Sequence, residues 1–139
     1  MVSDSDIRSL LKSVKVIALV GWSPKADRPS HGVAAYLARK GYRVIPVNPG
    51  QAGVTVPWGE TVVASLTEIG GGVDMVDIFR RSAEVGTVVD EALASLPGLK
   101  AVWMQLGVQD DAAAARAEAA GVQVVMNRCP AIEIPRLGL

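Results

Sequence analysis

The sequence predicts an α/β domain built on one parallel sheet of five strands with helices on both faces. Short β-branched runs alternate with segments of helical periodicity, and turn residues separate the two kinds. The strand-like runs are also apolar almost throughout, as strands covered on both faces are. Parallel neighbours need crossover connections, which the intervening helices supply.

Ser3 and Asp6 stand in capping-box-like spacing ahead of Ile7, Leu10, Leu11 and Val14, which predicts a short lead-in helix over residues 3–13. Residues 16–20 end at Gly21 and read as the first strand. Residues 42–47, 73–79, 101–104 and 122–126 supply the other four. Helical patterns run from Gly32 to Lys40 before Gly41, from Ser82 to Leu96 before Pro97-Gly98, and from Asp110 to Ala120 before Gly121. The second is the clearest. Val85, Val88, Val89, Ala92, Leu93 and Leu96 share one stripe, while Glu84, Asp90 and Glu91 point elsewhere. Residues 48–72 break the alternation. This stretch is rich in Gly, Pro and Thr, with only Val62-Val63 and Leu66 to Ile69 as candidates for order, so its crossover helix is short or replaced.

Half of the 139 residues are apolar and 20% are charged, enough for one self-supporting core, so a single domain over residues 1–139 is expected. Fourteen Lys plus Arg balance fourteen Asp plus Glu. That argues against an extended basic field and so against nucleic acid or a membrane surface as partner. A lone Cys129 fits a reducing compartment, and the stretch from Met1 to Asp6 is acidic and polar where a secretory signal would be basic and then apolar. A cytoplasmic location is expected. The apolar run from Val14 to Val20 is far too short to cross a bilayer as a helix.

In an open parallel sheet, ligands sit outside the carboxyl ends of the strands, where neighbouring crossovers diverge to opposite faces. The first such loop runs from Gly21 through Ser23, Lys25 and Arg28 to Ser30, His31 and Gly32. Gly21 permits close backbone approach, and a helix start capped by Ser30 would offer N–H groups to an anion. The same residues also suit a plain turn. The dinucleotide fingerprint is absent, because Ser23 takes the place of its second glycine and the second strand ends in Asn48-Pro49 without an acid. NAD is therefore disfavoured, and NADP is only slightly better served, through Arg28 or Lys25. The third strand ends in Phe79-Arg80-Arg81-Ser82. Either Phe79 stacks on a base and the arginines meet phosphates, or Phe79 is core and both arginines are solvated. The fourth ends in Gln105-Leu106-Gly107 and the fifth in Asn127-Arg128-Cys129-Pro130. Lys25, Arg28, Arg80, Arg81 and Arg128 thus all fall in strand-end loops, forming a local positive mouth that overall neutrality conceals.

Taken in order, Gly21-x-Ser23-Pro24-Lys25 with Arg28-Pro29-Ser30, Val44 to Pro49, Val76 to Ser82, Trp103-x-Gln105-Leu106-Gly107 and Arg128-Cys129-Pro130 resemble the small stand-alone CoA-binding proteins of bacteria and archaea. These are similar to the CoA-binding domain of the succinyl-CoA synthetase alpha subunit. The likeness spans about Val14 to Leu137. It implies a Rossmann-like sheet in the order 3-2-1-4-5 and a bound coenzyme A or acyl-CoA. On this reading the Gly21 to Ser30 loop, with Ser23, Lys25 and Arg28, meets the pyrophosphate. Phe79, Arg80 and Arg81 meet the nucleotide end, and Asn48, Pro49, Gln105 and Gly107 lie along the crevice, with Arg128 as a further cation. Members usually carry Asp where this chain has Asn127, and the loop around Trp58 has no clear counterpart.

The synthetase uses a phosphorylated histidine and further domains, for which this chain has no room. His31 reads as a helix-entry residue, with neither a base partner nor a metal cluster in sight. Cys129 reads either as a small buried residue or as a thiol able to form a mixed disulfide with CoA. No catalytic or metal residue is assigned. The expected role is a non-catalytic CoA-binding, sensing or carrier protein. The alternatives are a small NAD(P)-dependent oxidoreductase, another nucleotide-binding domain, or an interaction module without ligand; a protein partner or homo-oligomer is left open.

Overall fold

The computed structural model describes residues 2–139; Met1, at the edge of the expected domain, lies outside the described residues. Helix α1 spans Asp4–Ser13, and the capping box ahead of it is formed. Ser3 Oγ accepts the Asp6 N–H at 3.1 Å and Asp6 Oδ2 accepts that of Ser3 at 3.1 Å. Strands β1 (Val16–Val20), β2 (Arg43–Val47), β3 (Met75–Ile78), β4 (Ala101–Met104) and β5 (Gln123–Val125) form one parallel sheet. Between them run α2 (Pro29–Arg39), α3 (Ser82–Ser95) and α4 (Asp111–Ala119), with α5 (Pro130–Arg136) closing the chain.

Alternate residues of each strand feed two cores, as the two-period of a strand requires. Leu19, Met75 and Trp103 pack with Ile7 and Leu10 of α1, Leu37 of α2 and Ile134 of α5 on one face. Val20, Ile78 and Met104 pack with Val85 and Val89 of α3 and Ala113 and Ala117 of α4 on the other. Each fully buried Leu, Ile or Val on these faces stabilises by about 1.5–3 kcal/mol relative to exposure.

The full strands lie in the order β2-β1-β3-β4-β5. Outside β2, Val63 makes a single parallel bridge to Val47, its N–H bonding Pro46 O at 3.1 Å and its carbonyl accepting Asn48 N–H at 2.9 Å. Given the third place, this one-residue remnant restores the expected 3-2-1-4-5 at that end of a Rossmann-like sheet. The strand expected over 73–79 therefore lies beside β1, on the side away from β2. In place of a crossover helix, residues 48–72 carry two short 3₁₀ turns, Pro49–Gln51 and Leu66–Glu68. The Trp58 loop seals the β2 edge, its indole N–H donating to Val44 O at 2.8 Å. This satisfies a carbonyl that the sheet leaves free.

Beyond shifts of one or two residues at element ends, one helix start and one whole helix differ from the sequence reading. Helix α2 starts at Pro29, three residues before Gly32, because proline at the first helical position brings its φ already set and gives up no needed N–H. Ser30 is accordingly not a cap but a buried residue of the first turn. Helix α5 had no counterpart in the sequence reading: it is seven residues long and holds prolines at both Pro130 and Pro135.

Candidate functional site

The chain leaves β1 through α2 on one face, and leaves β3 through α3 on the other, so the carboxyl ends of these two neighbouring strands mark the topological switch point. Gly21 sits there with φ +91°, and a Cβ on it would stand 2.8 Å from the Phe79 carbonyl oxygen. Only glycine allows both that backbone angle and that approach. Its N–H bonds Val47 O at 2.9 Å, which ties the ends of β1 and β2.

The loop after Gly21 is held by polar contacts from its own residues. Ser30 Oγ accepts the Ser23 N–H at 3.0 Å, Ser23 Oγ accepts the Lys25 N–H at 3.2 Å, and His31 Nδ1 meets Ser23 O at 3.0 Å. The His31 ring stacks on Trp22 at 5.8 Å between centroids. His31 is thus part of the loop's scaffold. Asn48 Nδ2 donates to Trp22 O at 2.6 Å while its Oδ1 accepts the Gly50 N–H, so this side chain braces two strand-end loops against each other.

A cleft of about 630 Å³ opens above this loop on the α2/α5 face. Gly21, Ser23, Lys25, Arg28, Ser30, Phe79 and Gln105 of the expected site line it, together with the apolar Val33, Leu106, Val108 and Ile132 and with Cys129. No carboxylate is among its lining residues, and Lys25 and Arg28 form no ion pair among the described residues. The first turn of α2 adds the positive end of a helix dipole at Pro29 and Ser30. Cationic and donor groups together with apolar lining suit a ligand with phosphates and a long, weakly polar arm.

The remaining expected residues lie elsewhere. Arg80 and Pro49 line a second hollow of about 360 Å³ beyond the switch point, with Val20, Val47 and Leu66 from the opposite core. Arg81 is 86% exposed and pairs with Glu84 at 3.5 Å. Gly107 turns with φ +79° and donates its N–H to Asn127 Oδ1 at 2.7 Å. Asn127, itself at φ +57°, supplies the acceptor that an aspartate would, and asparagine tolerates that backbone angle. Arg128 is turned away from the cleft. Its guanidinium bonds Glu133 Oε1 at 3.0 Å, its carbonyl accepts the Trp103 indole N–H at 2.8 Å, and Glu133 is only 6% exposed and also held by Arg136. The expected cation here is a structural partner for a buried acid.

Sequence reading missed Asp77. Its carboxyl is completely buried in β3, and burial without a cation pushes its pKa well above the ordinary carboxylate range. The signal was an acid at the centre of an otherwise apolar strand in a sheet covered on both faces. Among the described residues no cluster of three or more potential metal ligands is gathered, and no helix is long and apolar enough to cross a membrane.

A sequence profile for the CoA binding domain matches residues 15–135. The chain belongs to that family. Among relatives of this CoA-binding domain, the uncharacterized protein YneT of Bacillus subtilis (strain 168) is 35% identical over 127 residues, covering 91% of this chain and 90% of its own length. A hypothetical protein from Pyrococcus horikoshii OT3 superposes with a TM-score of 0.90 at 36% identity, over 99% of this chain and 94% of that one. A Thermus thermophilus structure, cell-free ID.343, gives a TM-score of 0.89 at 36% identity, over 97% and 98%.

Proposed function

We propose that this CoA-binding domain holds coenzyme A or an acyl-CoA at the carboxyl edge of its sheet, as a cytoplasmic binding, sensing or carrier protein that does no chemistry on its ligand. The observation that carries this reading is the acid-free cleft at the switch point, where Lys25, Arg28 and the start of α2 face an apolar wall. The cationic end receives the pyrophosphate, and the wall of Val33, Leu106, Val108 and Ile132 receives the pantetheine arm. Arg80, beyond Gly21, is in reach of the nucleotide end, where the 3′-phosphate of CoA is carried.

Thermal shift with CoA, acetyl-CoA, dephospho-CoA and NADPH tests the assignment. A ligand present at a hundred times its Kd stabilises the folded state by about 2.7 kcal/mol. CoA and acetyl-CoA stabilise the chain and NADPH does not; the reverse order would overturn the reading. Acetyl-CoA left with the protein stays intact by mass spectrometry, whereas thioester cleavage above the buffer control would make the protein an enzyme. Arg80→Ala weakens CoA more than dephospho-CoA; equal losses move Arg80 to the pyrophosphate.

A further inference from the structure

Asp77, the third residue of β3, is completely buried, and its side-chain polar partner is a residue that lines the cleft. Its register neighbours are Leu19 of β1 and Trp103 of β4, and it forms no ion pair. Its partner is the side-chain amide of Gln105, one end of which lies 3.0 Å from Oδ1 and 3.3 Å from Oδ2. Gln105 follows β4 directly, is 5% exposed and lines the cleft. Its amide has no other hydrogen bond among the described residues.

A primary amide carries a donor at one end and an acceptor at the other, a carboxylic acid can donate, and a carboxylate can only accept. The two groups therefore fit in two ways. With Asp77 protonated, its O–H donates to Gln105 Oε1 and the NH2 group is presented to the cleft. With Asp77 ionised, Nε2 turns to donate to the carboxylate and the carbonyl oxygen is presented.

We propose that Asp77 is a positioning residue: through Gln105 it decides whether the cleft offers the ligand an amide donor or an amide acceptor. This rests on the reading of the cleft as a CoA site. Burial pushes the Asp77 carboxyl well above the ordinary carboxylate range, which favours the acid form and with it the arrangement in which Gln105 presents its NH2. The matching ligand group is an acceptor, and beside Leu106, Val108 and Ile132 it is an amide or thioester carbonyl of the pantetheine arm. The titratable and charged groups around this face are Lys25, Arg28 and His31 from the first loop and α2, and Cys129 and the Arg128–Glu133 pair from α5. None of them is a cause of the Asp77 shift.

The test uses the whole chain in two arms. In the ligand-free protein, NMR follows the Asp77 carboxyl carbon and the Gln105 side-chain NH2 across pH. The two titrate with one midpoint, and Asp77→Asn abolishes the Gln105 movement. An Asp77 carboxyl that does not titrate, or a Gln105 amide indifferent to its titration, overturns the proposal. In the second arm, calorimetry measures CoA affinity. It falls about tenfold, or about 1.4 kcal/mol, as pH rises through that midpoint in the wild type. It is flat there in Asp77→Asn and in Gln105→Ala, which removes the amide and leaves the buried carboxyl in place. Identical profiles in all three proteins overturn the proposal. If CoA binds none of them, the ligand reading falls, and the ligand-free titration still decides the Asp77–Gln105 pair.

Discussion

Replacing Gly21 with alanine attacks the switch point at its narrowest place. Two costs add. The residue has φ +91°, where an L side chain is strained by roughly 1–2 kcal/mol. The new methyl would also stand 2.8 Å from Phe79 O, 3.1 Å from its carbonyl carbon and 3.3 Å from its Cβ. Because the first two are backbone atoms of a hydrogen-bonded strand end, β1 and β3 must part, and such overpacking costs about 1–3 kcal/mol more. Gly41→Ala isolates the first cost, since Gly41 has φ +101° and a methyl there would meet nothing within 4 Å. Urea unfolding should show Gly21→Ala losing about 2–5 kcal/mol and Gly41→Ala about 1–2 kcal/mol, with similar m values. Calorimetry on the folded fraction should show CoA binding weakened only in Gly21→Ala, whose methyl displaces the Phe79 end of β3 beside the proposed site. Equal losses of stability at the two glycines would refute the close-approach reasoning, and unchanged CoA binding in Gly21→Ala would remove Gly21 from the ligand's path.

Trp58→Phe keeps most of the packing but leaves Val44 O without its donor, so unfolding experiments should show a loss of about 1–3 kcal/mol. Asp74 accepts the N–H groups of Lys15 and Val16 at 2.9 and 3.0 Å; partial burial raises its pKa, but these bonds and Lys100 outweigh it and hold the carboxyl below its ordinary value. Its contribution is therefore present above the ordinary carboxylate range and lost as pH falls through the depressed value, so Asp74→Asn should be less stable at neutral pH and converge with the wild type in acid. Arg28→Ala should weaken CoA about tenfold with stability nearly unchanged, whereas Arg128→Ala should spare CoA affinity and cost about 1–3 kcal/mol of stability through buried Glu133. Calorimetry and urea unfolding on both variants check this, and a CoA loss in Arg128→Ala would return that residue to the site.

The sheet was legible because its strands are apolar almost throughout while its helices keep one stripe, and this contrast needs no tertiary knowledge. Helix α5 was not legible, since seven residues with two prolines show neither periodicity nor propensity. The helix start at Pro29 was misplaced because Ser30 looks like a cap from sequence, yet its hydroxyl holds Ser23 across the loop. Loop position alone also does not say which cations are free to face the cleft. Arg128 follows β5 as expected, but its direction is set by a buried acid five residues later, on a helix the sequence did not announce. Asp77 escaped because it reads as part of the apolar run around it, although an acid in a strand expected to be covered on both faces is itself the signal.

The same placement explains why zero net charge says little about the ligand. Of the five strand-end cations, Arg81 and Arg128 are taken by Glu84 and Glu133, which leaves Lys25 and Arg28 on one side of the Gly21–Phe79 seam and Arg80 on the other. Charge that is spread this way, over two separate hollows, gives no long-range field to draw in an extended polyanion. On the proposed reading it suits a single small molecule whose phosphates are separated along its own length, each cation meeting charge when that ligand lies across the seam. On the same reading Gly21 is the element on which this depends, because a side chain there would push against the Phe79 backbone at the seam over which the ligand would lie.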